Sequence, residues 1–135
     1  MFKKYYLGYN IDGDDIMHFY KDNQNHFYVQ LDDEKTSEKE FHLIREEEHQ
    51  GDASKHLPLI TRDKQYIQIK IGDIMHPMTP EHHISMVFLK TKQGGQYKVL
   101  SYQSSPIVEF YLSDKDEPVE VYGYCNLHGL WKQSF

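Results

Sequence analysis

Residues 65–71 read QYIQIKI, and this short stretch decides the fold class. Ile67, Ile69 and Ile71 alternate with the polar Gln68 and Lys70. Successive side chains of a β-strand point to opposite faces, so a period of two predicts a strand that turns one face towards a core. No stretch of the chain shows a helical period of comparable quality.

The stretches that follow repeat this strand pattern between turn signals. HISMVFLKT at 83–91 is a long apolar run, and Gly94-Gly95 predicts a hairpin turn into the next strand. PIVEFYLS at 106–113 and PVEVYGYC at 118–125 are two more strands, separated by the turn DKDEP. Several strands of this length between turns predict an all-β protein, either a β-sandwich or a barrel.

The N-terminal part has a different character. Residues 18–31, HFYKDNQNHFYVQL, predict two short strands around the turn KDNQN. Residues 32–50 form a charged run with one apolar island at 41–44, which predicts a solvated loop with a short strand or helical turn. The chain therefore divides into a small N-terminal segment at residues 1–48 and a β-rich domain at residues 49–135.

The composition of the chain limits its compartment and the kinds of partner it can bind. The chain has 135 residues and a single cysteine, which excludes an internal disulfide and favours a reducing, cytoplasmic compartment. The start lacks the apolar run of a secretory signal, and no stretch approaches the roughly 18 apolar residues of a membrane span. A net charge of -6 argues against nucleic acid as a partner, because phosphate binding needs a basic surface.

The chemistry of the chain is concentrated in its histidines and its one cysteine. Cys125-x-x-His128 leaves a strand and enters a turn at Gly129, so both side chains can point at one centre. Prolines stiffen the other histidine-bearing stretches, which lowers the entropy lost when a ligand binds. The candidate histidines of the β-rich part are His56, His76, His82, His83 and His128. The remaining ones, which lie among charges and turn residues, are interpreted as surface side chains: His18, His26, His42 and His49.

Several imidazoles with one thiolate suit iron, copper or zinc. A structural zinc site usually has two or more cysteines. A copper site built on two histidines and a cysteine commonly adds a methionine just after them, and no methionine follows Met86. A catalytic nucleophile at Cys125, activated by His128, is less favoured, because the sequence indicates neither a third member of a triad nor an oxyanion hole. The residues favour iron, with copper second and the nucleophile third.

Three segments resemble one known family. KHLPLI at 55–60, IGDIMHPMTPEHHI at 71–84 and CNLHGLW at 125–131 are similar in order and spacing to those of the superoxide reductases, the family of neelaredoxin and desulfoferrodoxin. The resemblance covers residues 52–135. It implies an immunoglobulin-like β-sandwich that binds one mononuclear non-haem iron.

The resemblance also implies a ligand set. Cys125 would be the axial thiolate, and the equatorial ligands would be His56, His76, His82 and His128. His82 is preferred to His83 because the family ligand stands six residues after the histidine of HPM. Many members have glutamate and lysine before the first histidine, whereas this chain has Ser54 and Lys55. Asp52 and Glu81 are candidate substitutes for that glutamate.

The activity that the resemblance implies is the one-electron reduction of superoxide to hydrogen peroxide. Lys55 would be the catalytic cation that attracts superoxide. The electron would come from rubredoxin or a similar small carrier, and backbone N–H groups near 126–128 would hydrogen-bond the thiolate sulfur. The relatives form homo-oligomers, dimers or tetramers, so the same is expected here. The alternatives are a cupredoxin-like electron-transfer protein and an inactive metal-binding β-sandwich.

The N-terminal segment resembles the family more weakly. In two-iron members a desulforedoxin-like domain binds a second iron through four cysteines. Asp22 and Asn25 stand where the first cysteine pair would be, so the segment is expected to be a metal-free, structural version of that domain, with dimerisation as an alternative role.

Overall fold

The computed structural model describes residues 17–32, 34 and 39–135. It divides into two compact units, the first ending at Glu48 and the second spanning His49–Phe135. The first residues of the chain, where no secretory signal is predicted, and part of the charged run at 32–50 lie outside the described residues.

The described part of the first unit is a small antiparallel sheet. Its strands are β1 (His18–Lys21), β2 (Phe27–Gln30) and β3 (His42–Ile44), with β1 in the centre. A short 3-10 helix follows at Glu46–Glu48. The prediction of two short strands around the turn at 21–25 is confirmed, and the apolar island at 41–44 supplies the third strand.

The second unit consists of two antiparallel sheets and one helical turn. The three-stranded sheet has the order β4-β5-β8 and contains Pro58–Asp63, Tyr66–Ile71 and Ile107–Tyr111. The four-stranded sheet has the order β10-β9-β6-β7; in chain order its strands are Ile84–Thr91 (β6), Gly94–Val99 (β7), Pro118–Cys125 (β9) and Gly129–Ser134 (β10). Helix α1 is a single turn at Ala53–His56, before β4.

The two sheets of the second unit bury one core between them. Ile67, Ile69 and Ile71 of β5 are fully buried, as their alternation predicts. They pack in one cluster with side chains of the other sheet, such as Val87, Leu89 and Val121. Antiparallel sheets of four and three strands around one core form an immunoglobulin-like β-sandwich, which confirms the predicted fold class.

The structure differs from the prediction at the β6–β7 hairpin. The turn residues are Lys92 and Gln93, and the predicted turn glycines begin β7. A Cβ at position 95 would lie 2.7 Å from the Phe88 ring, so glycine allows that ring to lie across the neighbouring strand. Strand β10 and helix α1 were not predicted. No helix in the described part of the chain is long and apolar enough to cross a membrane; the cytoplasmic location stays a prediction.

Candidate metal centre

His56 is the last residue of helix α1 and is almost completely buried. The Asp52 carboxylate caps the helix by accepting the Ser54 N–H at 3.0 Å, as N-cap residues do. The His56 Nδ1–H donates to the Asp52 carbonyl oxygen at 2.8 Å. A neutral imidazole that donates from Nδ1 keeps its lone pair on Nε2, so the Nε2 atom of His56 is available as a ligand.

His76 and His82 lie in the loop between β5 and β6. The His76 Nδ1–H donates to the Pro77 carbonyl oxygen at 2.7 Å, which turns Nε2 the other way. Reciprocal hydrogen bonds between the backbones of Thr79 and His82, at 2.9 and 3.2 Å, tighten the loop before His82. The Nε2 atoms of both histidines are buried and have no hydrogen-bond partner among the described residues. Orphaned buried nitrogens of this kind fit a site that binds a metal ion.

Cys125 and His128 lie at the corner between β9 and β10. Cys125 ends β9, and its Cα partner Gly129 begins β10 at a φ of 92°. Glycine adopts this conformation without the strain that a side chain would add. The corner brings Cys125 Sγ to 3.6 Å from His128 Nδ1. The backbone N–H groups of Leu127 and His128 face the sulfur and lower the pKa of the thiol, in agreement with the predicted hydrogen bonding there.

The five side chains converge on one point. One potential ligand atom from each lies within 4.8 Å of all the others in the set His56, His76, His82, Cys125 and His128. The imidazole rings form a closed cycle in the order 56, 76, 82, 128, with neighbouring centroids 4.6–4.9 Å apart. Neighbouring ring planes are inclined by 72–83°, and the opposed rings of His56 and His82 lie 6.4 Å apart.

Burial disfavours the charged form of three of these imidazoles. It lowers the pKa of His76 to about 4, and it is also the main cause of the lowered pKa values of His56 and His82. Neighbouring imidazoles lower all three further, because one positive ring disfavours the next. Burial raises the pKa of the Cys125 thiol, although the two N–H bonds to sulfur oppose that effect. Burial therefore disfavours a positive charge on three of the nitrogen donors, His56, His76 and His82.

The other predicted residues lie around this cluster. Lys55 is exposed, and its charge is close enough to His82 to contribute to that histidine's lowered pKa. His83 is outside the cluster, and its Nδ1–H donates to the Thr79 carbonyl oxygen at 3.0 Å. The Asp52 carboxylate caps α1, as described above. Glu81 is exposed and accepts the Asn126 side-chain N–H on its backbone oxygen.

Sequence reasoning missed the junction segment, residues 49–52. His49, interpreted as a surface side chain, stacks on Trp131 with ring centroids 3.7 Å apart. The Gln50 N–H donates to the His128 carbonyl oxygen at 2.8 Å. A Cβ on Gly51 would lie 2.9 Å from the His56 ring and 3.2 Å from the His128 ring. The glycine in HQGD was the signal that the sequence offered, because glycine is common where φ is positive. No spacing rule, however, connects position 51 with His128.

A comparison with protein families supports the predicted resemblance. The family model described as Desulfoferrodoxin matches residues 48–134. A desulfoferrodoxin of Clostridium acetobutylicum is 37% identical over 78 residues, which are 58% of this chain and 60% of the relative. The match thus spans about three fifths of that relative. A superoxide reductase of Pyrococcus horikoshii is 31% identical over 67% of this chain and 95% of its own length.

Solved structures of superoxide reductases are also similar to this chain. The superoxide reductase of Treponema pallidum superimposes with a TM-score of 0.74 at 30% identity, over 88% of this chain and 99% of its own. The one-iron superoxide reductase of Giardia intestinalis superimposes with a TM-score of 0.53 at 26% identity, over 61% of this chain and 97% of its own. The family model covers well over half of the sequence and all five converging side chains. The chain therefore belongs to the desulfoferrodoxin family, which includes superoxide reductases.

Proposed function

We propose that this protein is a superoxide reductase, an oxidoreductase that acts on superoxide. The observation that carries the proposal is the convergence of five donor atoms within 4.8 Å of one another in a member of this family. Relatives named superoxide reductases match it both in sequence and in structure. The fold and the donor set therefore support the same activity.

The resident metal in this proposal is one mononuclear iron. Its ligands are the Nε2 atoms of His56, His76 and His82, the Nδ1 atom of His128 and the sulfur of Cys125. The donor chemistry fits, because neutral imidazoles and one thiolate suit iron. The orphaned Nε2 atoms of His76 and His82 fit as well, since a metal would satisfy both. Bound there, iron supplies one-electron redox chemistry and a coordination position for a small anion.

The protein's own residues prepare and tune this site. Hydrogen bonds from the Nδ1 atoms of His56 and His76 to backbone oxygens orient the rings and fix their tautomers. The N–H groups of Leu127 and His128 stabilise a thiolate on Cys125. Lys55, exposed beside His82, supplies positive charge at the entrance in a chain whose net charge is -6. It therefore attracts superoxide locally against the field of the whole protein.

The net reaction adds one electron and two protons to superoxide and releases hydrogen peroxide. The electron comes from outside the chain, from rubredoxin or a similar small carrier, because a single cysteine cannot build a second iron–cysteine centre. The protein acts in the cytoplasm and as a homo-oligomer in this proposal. The cupredoxin-like alternative is less well supported, since the converging donors include four histidines where such a copper site uses two.

The first unit is, in our proposal, a metal-free counterpart of the desulforedoxin-like domain. The Asp22 Oδ1 accepts the N–H groups of Gln24 and His26, both at 2.9 Å. Its Oδ2 accepts the Tyr28 hydroxyl at 2.7 Å. A carboxylate thus closes the turn at the position where the two-iron relatives would place a metal ligand. The Treponema pallidum structure supports a counterpart of this unit in a superoxide reductase, because its match covers 88% of the chain and so extends beyond His49–Phe135.

The activity is tested by pulse radiolysis of protein loaded with ferrous iron without oxygen. Superoxide generated in the pulse should decay in a second-order reaction with the protein and yield hydrogen peroxide. The oxidised protein should show a thiolate-to-iron charge-transfer band, and Cys125→Ser should abolish that band.

A matched pair of variants tests the ligand set. His82→Ala should bind iron much more weakly, whereas His83→Ala should bind one iron as the wild type does. Copper at one equivalent from medium containing both metals would overturn the iron assignment. Unchanged superoxide decay in the presence of the reduced iron protein would overturn the activity.

A further inference from the structure

Trp131 lies between two imidazole rings. Its indole stacks on His56 with centroids 5.1 Å apart and planes inclined by 15°. The His49 ring stacks on it with centroids 3.7 Å apart and planes inclined by 18°. Trp131 is buried, and its indole N–H has no hydrogen-bond partner among the described residues. Stacking and packing, rather than a hydrogen bond, therefore hold the indole against His56.

His49 is itself held in place by the strand corner that bears Cys125 and His128. The N–H of the next residue, Gln50, donates to the His128 carbonyl oxygen at 2.8 Å. The backbone of Gly129 passes so close that a Cβ there would lie 3.3 Å from the His49 Cα. Residue 49 thus cannot move away from Trp131 without breaking a contact with the residues after Cys125.

The hydrogen bond to Asp52 does not by itself fix the plane of the His56 ring. The bond from its Nδ1 to the Asp52 oxygen fixes the position of one ring atom. The His56 Nε2 contacts His128 Nδ1 at 3.0 Å, a contact that a bound metal would replace. A tilt of the ring about the Asp52 bond would then swing the Nε2 lone pair away from the centre of the cluster. A flat indole against one face of the ring opposes the tilt. A metal–imidazole bond is directional, so ring orientation affects metal affinity.

We propose that Trp131, backed by His49, is a positioning residue that fixes the ring plane of His56 for metal binding. This inference rests on the metal site of the proposed function and adds two residues to it. Neither residue touches the cluster centre. Both act through His56, and His49 acts through the stacking of its aromatic ring on Trp131.

The test measures the affinity of the full chain for cobalt(II), without oxygen, by absorption in competition with a chelator. His49→Ala removes the outer ring of the stack and should weaken cobalt binding about tenfold, the lower end of the range for residues that orient metal ligands. Its cobalt–thiolate and ligand-field bands should also shift. His49→Phe keeps a stacking ring and should restore both affinity and spectrum. His83→Ala, which removes an imidazole next to His82, should match the wild type.

The fluorescence of Trp131, the one tryptophan of the chain, reports separately on the stack in the metal-free variants. Wild-type affinity and spectrum in His49→Ala would overturn the inference, and so would a His49→Phe variant as weak as His49→Ala. If His49→Ala fails to fold, Trp131→Leu removes the stacked ring from His56 but keeps an apolar side chain there, and wild-type binding by that variant would overturn the inference. A wild-type protein that binds no cobalt would refute the metal site itself, and this inference with it.

Discussion

At Gly51 the backbone passes close to two of the proposed ligands, His56 and His128. Its φ of 102° lies in the region that L side chains rarely adopt. A Cβ there would lie 2.9 Å from the His56 Cε1 and 3.2 Å from the His128 Cγ. The absence of a side chain at position 51 therefore allows the junction segment to lie against both rings.

Gly51→Ala should weaken metal binding by at least about tenfold, because the new methyl group displaces two ligand rings. It should also cost about 1–2 kcal/mol of unfolding free energy from the left-handed backbone conformation. Gly94→Ala is the matched control, since Gly94 also has a positive φ but no atom within 4 Å of its added Cβ. Cobalt titration and urea unfolding measure the two effects. Equal losses of metal affinity in both variants would contradict this account.

Lys55 is the residue expected to control the approach of superoxide. Lys55→Gln removes a positive charge near His82 and should lower the second-order rate constant about tenfold at low ionic strength. The rate should also depend less on salt, because screening then has less attraction to reduce. Lys115→Gln removes an equally exposed charge from the turn between β8 and β9 and serves as the control. Pulse radiolysis at two salt concentrations measures both effects. An unchanged rate constant in Lys55→Gln would show that Lys55 does not contribute to the reaction.

At the scale of elements, the turn between β1 and β2 depends on one carboxylate. Asp22 accepts three hydrogen bonds, from the N–H groups of Gln24 and His26 and from the Tyr28 hydroxyl. These bonds favour the charged form, so they hold the pKa of Asp22 below its ordinary value of 3.8, with the Tyr28 bond as the largest cause. The same bond raises the pKa of Tyr28.

This depressed pKa predicts how the turn depends on pH. The stabilisation is fully present above the unfolded-state pKa of Asp22 and is lost as the pH falls through its folded-state pKa. Tyr28→Phe should raise the pKa of Asp22, so the turn should loosen at a higher pH than in the wild type. NMR titration of the side-chain carboxyl carbon measures the shift. Tyr66→Phe, which removes a hydroxyl bonded to Glu109, is the control; an equal shift of Asp22 in both variants would refute the assignment.

For the whole molecule, all five proposed ligands belong to the second unit but come from separate parts of its chain. They lie on α1, on the β5–β6 loop and at the β9–β10 corner. A bound metal would cross-link these three places. Ligand binding to the native state alone stabilises it by about 2.7 kcal/mol at a concentration a hundred times the Kd.

Metal loading should therefore slow amide hydrogen exchange around residues 52–57, 72–83 and 123–131. Exchange in strands β1, β2 and β3 should not change, because the first unit supplies no ligand. Mass spectrometry of the metal-free and metal-loaded protein measures this difference region by region, and the Cys125→Ser variant should show a smaller effect. Equal protection of both units on loading would contradict a site confined to His49–Phe135.

Much of this fold could be predicted because it depends on local patterns. The alternation of Ile67, Ile69 and Ile71 is a property of neighbouring residues, and the buried face of β5 follows from it directly. The helical turn α1 escaped prediction because four residues are too few for a period. The hairpin glycines were misplaced because Gly95 makes room for the Phe88 ring on the neighbouring strand rather than forming the turn.

The candidate site was predictable to the level of its residue types. Cys-x-x-His at a strand end and proline-braced histidines indicated a metal from spacing alone, but the choice of His82 over His83 came from the family resemblance. The structure separates them: the His82 ring belongs to the converging cluster and its Nε2 has no partner among the described residues, whereas His83 is not part of that cluster.

The sequence by itself determined the strand pattern, the class of the fold and the chemical types of the donor atoms, because each depends on residues a few positions apart. The tertiary structure alone decided which imidazoles meet and what holds them. His49 is 82 positions from Trp131 and Gly51 is 77 from His128, so no local pattern connects either pair. The contacts arise only when the β9–β10 corner folds back onto the start of the second unit, since directional metal–ligand geometry depends on distances in space rather than along the chain.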